Sequence, residues 1–390
     1  MMVMRFIMSI HKILVVGAGI AAPSVCYWLR RFGFAPTLIE KSNAVRKNGI
    51  GLDIRGSALD VVKKMGIYDQ LCAQRTQVNL ESWVNADGNV LVEKSVGYSS
   101  NDDVEIMRCH LIDILMDSIK EVPCYFNQEI IEIKQNEKNV AVMFSDDQTT
   151  NYDMVIGADG LRSSIRKLAF PKTAYKFIEL GSYFSVFRIP NYLKLSRSKI
   201  IYESKQKLIS ITVDGDSENA LVALNFRSSE VLGNARDEKA QKIFIKQHFL
   251  DLGWECNELM DYLDICDDFY FDIATQVCME SWSQGRVVLV GDSGYCPSPL
   301  SGQGTSLALV GAYVLAGELK MANGDYMTAF ERYKTLMSPF INANQELGML
   351  VNETFLLPGD VSQEEINIRT KRIMNSLENA AYVKNLLNYD

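Results

Sequence analysis

Residues 13–40, ILVVGAGIAAPSVCYWLRRFGFAPTLIE, constrain this chain more than any other stretch. Ile13-Leu14-Val15-Val16 is an unbroken apolar run, the pattern of a parallel strand buried on both faces. It ends at once in Gly17-Ala18-Gly19-Ile20-Ala21-Ala22. An amphipathic segment over 25–32 reads as a helix, and Thr37-Leu38-Ile39 as a second strand ending in Glu40. This is a βαβ unit with the G-x-G-x-x-A spacing of a dinucleotide site. Gly17 permits the tight turn off the strand, Gly19 lets the backbone approach a pyrophosphate, and Ala22 lets helix and strand pack closely. Ile20 and Ala21 belong to the same turn, and the helix after it points its free N–H groups and positive dipole end at the phosphates. Glu40, with Lys41 beside it, lies 23 residues after Gly17, where an acid accepts ribose hydroxyls.

Charge narrows the partners. The net charge of −8 argues against nucleic acid, whose binding needs a basic face. Arg30-Arg31 and Lys63-Lys64 read as solvated helix faces. The eight cysteines include no C-x-x-C pair, so neither a zinc site nor a redox dithiol is indicated, and a reduced cytoplasmic setting follows. The three histidines are too dispersed for a metal site. No apolar run reaches the roughly 18 residues of a membrane span. Residues 1–10 are apolar and Met-rich but lack the cleavage site of a signal peptide; Met2, Met4 and Met8 are alternative starts.

The pattern along the chain predicts an α/β protein in two interleaved domains. Residues 9–76, 104–176 and 280–324 read as three parts of a Rossmann-type domain. Residues 77–103, a hairpin around Asn85-Ala86-Asp87-Gly88, and 177–279, with longer alternating strands and a helix over 237–250, read as an inserted antiparallel sheet. Residues 325–360 form a long bridging helix. Ser362-Gln363-Glu364-Glu365 is a capping box that opens a last helix, expected to reach about residue 387 with an apolar face at Ile366, Ile373, Leu377, Ala380 and Leu387.

Two more buried strands end in glycine and acid, at Asp159-Gly160 and Gly291-Asp292. Singly, each acid reads as a helix cap. Three such turns at the carboxyl edge of one parallel sheet would hold a ligand from three directions. The set resembles the FAD-dependent class A aromatic monooxygenases of the p-hydroxybenzoate hydroxylase fold. Asp159-Gly160-Leu161-Arg162-Ser163-Ser164-Ile165-Arg166 keeps their D-G-x-x-S-x-x-R spacing, and 291–304 keeps G-D…P-x-x-G-Q-G. The resemblance implies that Glu40 binds the adenosine ribose and Arg108 contacts the cofactor. It implies that Asp292 bonds the ribityl chain, that Pro299, Gly302, Gln303 and Gly304 lie against the isoalloxazine, and that Thr305 binds the cofactor. Asp159 and Gly160 would serve FAD and the nicotinamide donor. Within the family the chain resembles the tetracycline destructases, through Arg46 and the following Gly49-Ile50-Gly51-Leu52-Asp53-Ile54, and through the terminal helices. Arg46 would then contact nicotinamide and Asp53 the flavin. Where relatives carry G-D-A-A-H this chain has Gly-Asp-Ser-Gly-Tyr, so Tyr295 is expected to alter the substrate side.

The resemblance implies that NADPH reduces FAD, that O2 adds at the flavin C4a, and that the hydroperoxide's distal oxygen passes to an electron-rich polycyclic substrate such as tetracycline. No Ser/His/Asp set is needed, and none is nominated. The substrate cavity is expected between flavin and antiparallel sheet, lined by Phe184, Phe187, Arg188, Phe226 and Pro299. For the side chains on the strands, core packing is the competing reading, strongest for the phenylalanines. The chain is expected to act as a monomer. Rivals are a hydroxylase of another phenol or polyketide, a flavin reductase of a prenyl chain, and a non-catalytic binding protein. A flavin halogenase is disfavoured because the four tryptophans stand isolated.

Overall fold

The computed structural model describes residues 11–46, 51–95, 103–230, 232, 237–250, 252–354, 362–384 and 386–390. Residues 47–50 of the glycine-rich loop and the helix break at 357–360 lie outside them.

In chain order, β1 (Lys12–Val16), α1 (Ala21–Arg31) and β2 (Ala35–Ile39) make the opening unit. Next come β3 (Gly51–Ile54), α2 (Ser57–Met65), α3 (Tyr68–Ala73), the hairpin β4 (Leu80–Val84) and β5 (Val90–Ser95), β6 (Val104–Met107) and α4 (Arg108–Asp117). The short β7 (Cys124–Tyr125) precedes β8 (Ile130–Gln135), β9 (Val140–Phe144), β10 (Thr149–Tyr152), β11 (Met154–Gly157) and α5 (Ser164–Ala169). Four long strands follow: β12 (Tyr175–Pro190), β13 (Ser198–Ser204), β14 (Lys207–Val213) and β15 (Asn219–Arg227). Then come α6 (Glu238–Phe249), α7 (Cys256–Ile265), β16 (Tyr270–Met279), β17 (Ser283–Gln284), β18 (Val287–Leu289) and α8 (Asp292–Tyr295). Three helices close the chain: α9 (Gly304–Met321), α10 (Tyr326–Thr354) and α11 (Gln363–Ala380).

Among the described residues, β17-β18-β11-β1-β2-β7 form one sheet, with β1 parallel to both β11 and β2. Ile13, Leu14 and Val15 are each fully buried, because α1 and α9 cover one face of a strand whose other face is also enclosed. Residues 305–319 of α9 are all buried, which is why that helix is apolar all round. The second large sheet runs β16-β12-β15-β14-β13-β4-β5, so the early hairpin is its far edge. α7, a helix not evident from the residue pattern at 256–265, covers one face of this sheet together with α6.

Three expectations are corrected here. Phe187 and Phe226 are both fully buried under α6 and α7, with Phe226 packed on Phe244, His248 and Phe249. They belong to the core on the covered face of the sheet, not to a cavity. Tyr295 is likewise inside the protein: its hydroxyl bonds that of Tyr333 at 2.7 Å, against α9 and away from any substrate side. The last helix does open on its capping box, Ser362 Oγ accepting from Glu365 N. It ends at Ala380, however, rather than near 387. The following residues fold back on the first domain, where Ser57 N donates to Ala381 O and Val383 N donates to Ser57 Oγ. At the end of the tail, the Tyr389 hydroxyl donates to Glu318 at 2.7 Å and its ring fills the notch left by Gly317. Helical periodicity continued past Ala380, but these tertiary contacts outbid it.

No helix among the described residues is long and apolar enough to cross a membrane, and no cluster of His, Cys, Asp and Glu there could hold a metal ion.

Candidate active site

The three glycine-bearing turns meet at the carboxyl edge of the parallel sheet. Gly17 has φ +112°, and a Cβ there would stand 2.5 Å from the carbonyl oxygen of Ala158. The first turn therefore fits against the second only because residue 17 is glycine. Glu40 accepts from Ala18 N and Ser42 N, each at 2.9 Å, which fixes the acid beside the turn. Neither α1 nor α9 has a side-chain cap at its start, so both helices present unshared N–H groups.

The second turn is held from within. Asp159 accepts from Ser163 Oγ, Ser164 N and Ile165 N. Together with Ser163, the N-cap residue of α5, it thus closes the start of that helix, the alternative role open to that acid. Burial pushes its carboxyl up, and these hydrogen bonds pull it down. Ser163 in turn accepts from Arg166 N. The fully buried Arg166 donates to Ser293 O and Leu161 O, bolting the second turn to the third. The spacing D-G-x-x-S-x-x-R is therefore one bonded unit. Arg162 projects the other way and pairs with Asp272 on β16.

At the third turn Asp292 is exposed, close to the start of α9. Desolvation by the surrounding protein raises its carboxyl, while Cys296 and Arg108 lower it. Arg108, the first residue of α4, is lowered chiefly by burial and then by the neighbouring Arg46; Tyr270 and Asp292 act the other way. So Arg46, Arg108, Asp292 and Tyr270 share one neighbourhood. Two cations held together here favour an anionic guest. Asp53 is bound to Arg55 at 2.7 Å. Pro299 and Gly302 are exposed, Gly304 and Lys41's neighbour Glu40 are half-buried, and Thr305 is buried.

The group this edge suits can be tested on its unsatisfied atoms. Gln303 is fully buried, yet its amide nitrogen and oxygen have no partner among the described residues; the Ser306 hydroxyl is in the same state. A Cβ added at Gly19, Gly160 or Gly302 would meet open space. Uncapped helix starts, orphaned amide atoms and open glycines together fit a dinucleotide with a polar ring system, as FAD is.

Beyond this edge lies a cleft of about 740 Å³ between the open face of the second sheet, β6 and α11. Arg188 lines it and also pairs with Asp268. Phe184 is half-buried against Tyr270, whose hydroxyl bonds Asp272. Glu105, Lys199, Thr370 and Met374 line the cleft too and were not foreseen. The only signal for Glu105 was its place in an alternating strand, three residues before Arg108.

Comparison with known proteins fits this geometry. The family described as "FAD binding domain" matches residues 11–329. A flavin-dependent monooxygenase of Legionella longbeachae is 51% identical over 366 residues, covering 93% of this chain and 94% of its own. The crystal structure of tetracycline destructase Tet(55) superposes with a TM-score of 0.92 at 47% identity, covering 97% of this chain and 99% of that one. That of tetracycline destructase Tet(51) gives 0.88 at 50% identity, covering 96% and 98%. A Klebsiella pneumoniae protein, HpxO, complexed with FAD and uric acid, shares the fold at 16% identity with a TM-score of 0.73. With its three bonded turns and its orphaned Gln303 at one sheet edge, the chain belongs to the FAD-binding family and is a flavin-dependent monooxygenase.

Proposed function

We propose that this enzyme takes electrons from NADPH and inserts one oxygen atom of O2 into tetracycline antibiotics, inactivating them. The similarity to two tetracycline destructases over nearly the whole chain, roofing helix included, carries this reading. FAD, when bound, supplies the electron transfer and oxygen activation. The protein supplies place and field. Glu40 and the start of α1 hold the adenosine and pyrophosphate end, and Asp292 with the start of α9 holds the other. Arg46 and Arg108 give a positive field that suits both a reduced flavin and an enolate substrate. The exposed Arg46 is available to a nicotinamide donor that comes and goes. A cleft of about 740 Å³ is of a size for a four-ring substrate, and α11 shields it from bulk water. The eight free thiols suit the reducing cytoplasm, where NADPH is at hand.

The test is NADPH oxidation with and without tetracycline, with the product weighed by mass spectrometry. Stimulated oxidation and a gain of one oxygen atom are expected. Unchanged tetracycline alongside intact flavin reduction would overturn the substrate and leave the monooxygenase. The same assay with phenols and aromatic polyketides then finds the alternative.

A further inference from the structure

We infer that Glu105 recognises a basic amine on the substrate, an inference that rests on the substrate reading above. β6 alternates strictly: Val104 and Ile106 enter the core, while Glu105 and Met107 face the cleft. Glu105 is thus a carboxylate set into the wall that faces the open side of the sheet. Its register partner on β3 is Asp53, and the two acids face the same way. Asp53 is matched by Arg55 at 2.7 Å. Among the described residues, no cation comes within the 4.0 Å of an ion pair with Glu105. Lys199 and Arg55 act on it only at longer range, and Lys199 is nearer to Glu81, at 3.7 Å.

Its surroundings keep the acid there: the Thr76 side chain hydrogen-bonds it, and among the described residues it lacks only an ion-pair partner. A Cβ on Gly51 would stand 2.5 Å from Glu105 Oε1, so the glycine makes room for this carboxylate. Burial, and then the Asp53 charge, raise its pKa, so the ionised form is held at a cost. A half-buried carboxylate with no ion-pair partner among the described residues, in a cleft of this size, matches a ligand with a cationic N–H donor. Tetracycline carries such a group, a dimethylammonium on its first ring.

The experiment compares tetracycline with its analogue lacking the dimethylamino group, on wild type, Glu105→Gln and Glu105→Asp. FAD absorbance of each purified protein confirms that the cofactor site is intact. Wild type is expected to show a KM about tenfold lower for tetracycline than for the analogue. Glu105→Gln is expected to treat the two alike, and Glu105→Asp, which keeps the charge, to retain part of the preference. Equal KM values in wild type, or a preference that survives in Glu105→Gln, overturn the inference. If wild type oxygenates neither compound while NADPH still reduces its flavin, the substrate reading falls and this inference falls with it.

Discussion

Arg162 grips Asp272 with two parallel hydrogen bonds, 2.8 Å from Nη1 to Oδ2 and 2.6 Å from Nη2 to Oδ1. One residue belongs to the second glycine turn and the other to β16 of the second large sheet. The fork raises the arginine's pKa, chiefly through the hydrogen bond itself. Asp272 is only 6% exposed, but Arg162 is largely in solvent, so the pair is partly screened. Arg162→Met is expected to cost about 1 kcal/mol, a fall of roughly 2 °C in Tm. A larger effect is expected on turnover, since Asp272 also orders Tyr270, whose hydroxyl acts on Arg108. Thermal melts and tetracycline-stimulated NADPH oxidation check both.

Gly17→Ala places a methyl group 2.5 Å from the Ala158 carbonyl oxygen, at a φ that L residues rarely adopt. The first two turns must separate, and the pyrophosphate seat with them. The purified variant is expected to lose nearly all flavin absorbance while keeping its secondary structure by circular dichroism.

The buried pair Arg369–Glu203, bonded at 2.8 and 2.9 Å, pins α11 to β13. Arg369→Met leaves Glu203 charged in the interior and is expected to cost about 3 kcal/mol, to raise the KM for substrate and to leave FAD bound. Adding Glu203→Leu removes the stranded charge. Chemical denaturation is then expected to show much of the stability restored.

Phe226 and Phe184 stand on opposite faces of the second large sheet. Phe226→Ala empties a fully buried site beneath α6 and is expected to cost about 3–5 kcal/mol. Phe184→Ala, on the half-buried side beside Tyr270, is expected to change KM with little change in stability. If the two variants exchanged these effects, the assignment of faces would be reversed.

Asp292 gives a pH signature. Its carboxyl is raised in the folded protein, so the native state holds a proton more tightly than the unfolded chain does. Between the ordinary carboxylate pKa and the raised one, the stability of the apoprotein should fall as pH climbs. Asp292→Asn is expected to flatten that slope, to leave the apoprotein more stable at neutral pH, and to weaken FAD binding. Urea titrations of apoprotein at several pH values test the first two, and flavin release the third.

Much of the cofactor edge was legible before any coordinates. Strand, glycine turn and helix follow one another within about ten residues, and glycine's tolerance of positive φ is a local property, so Gly17, Asp159-Gly160 and Gly291-Asp292 declare themselves in the sequence. Their order along the chain was enough to name FAD. Alternation in β12 and β15 was equally plain, and it split each strand into two sets. Period two is symmetric, however: it separates Phe184 from Phe187 without saying which faces solvent. Only α6 and α7, packed on one side, decided that. The same holds for Tyr295, sent inward by Tyr333 from 38 residues away, and for the tail after Ala380, drawn off its helical course by Ser57 and Glu318. Local chemistry determined what the turns bind. Contacts between residues far apart in sequence decided which side chains line the cleft and which join the core, because burial depends on what else packs nearby.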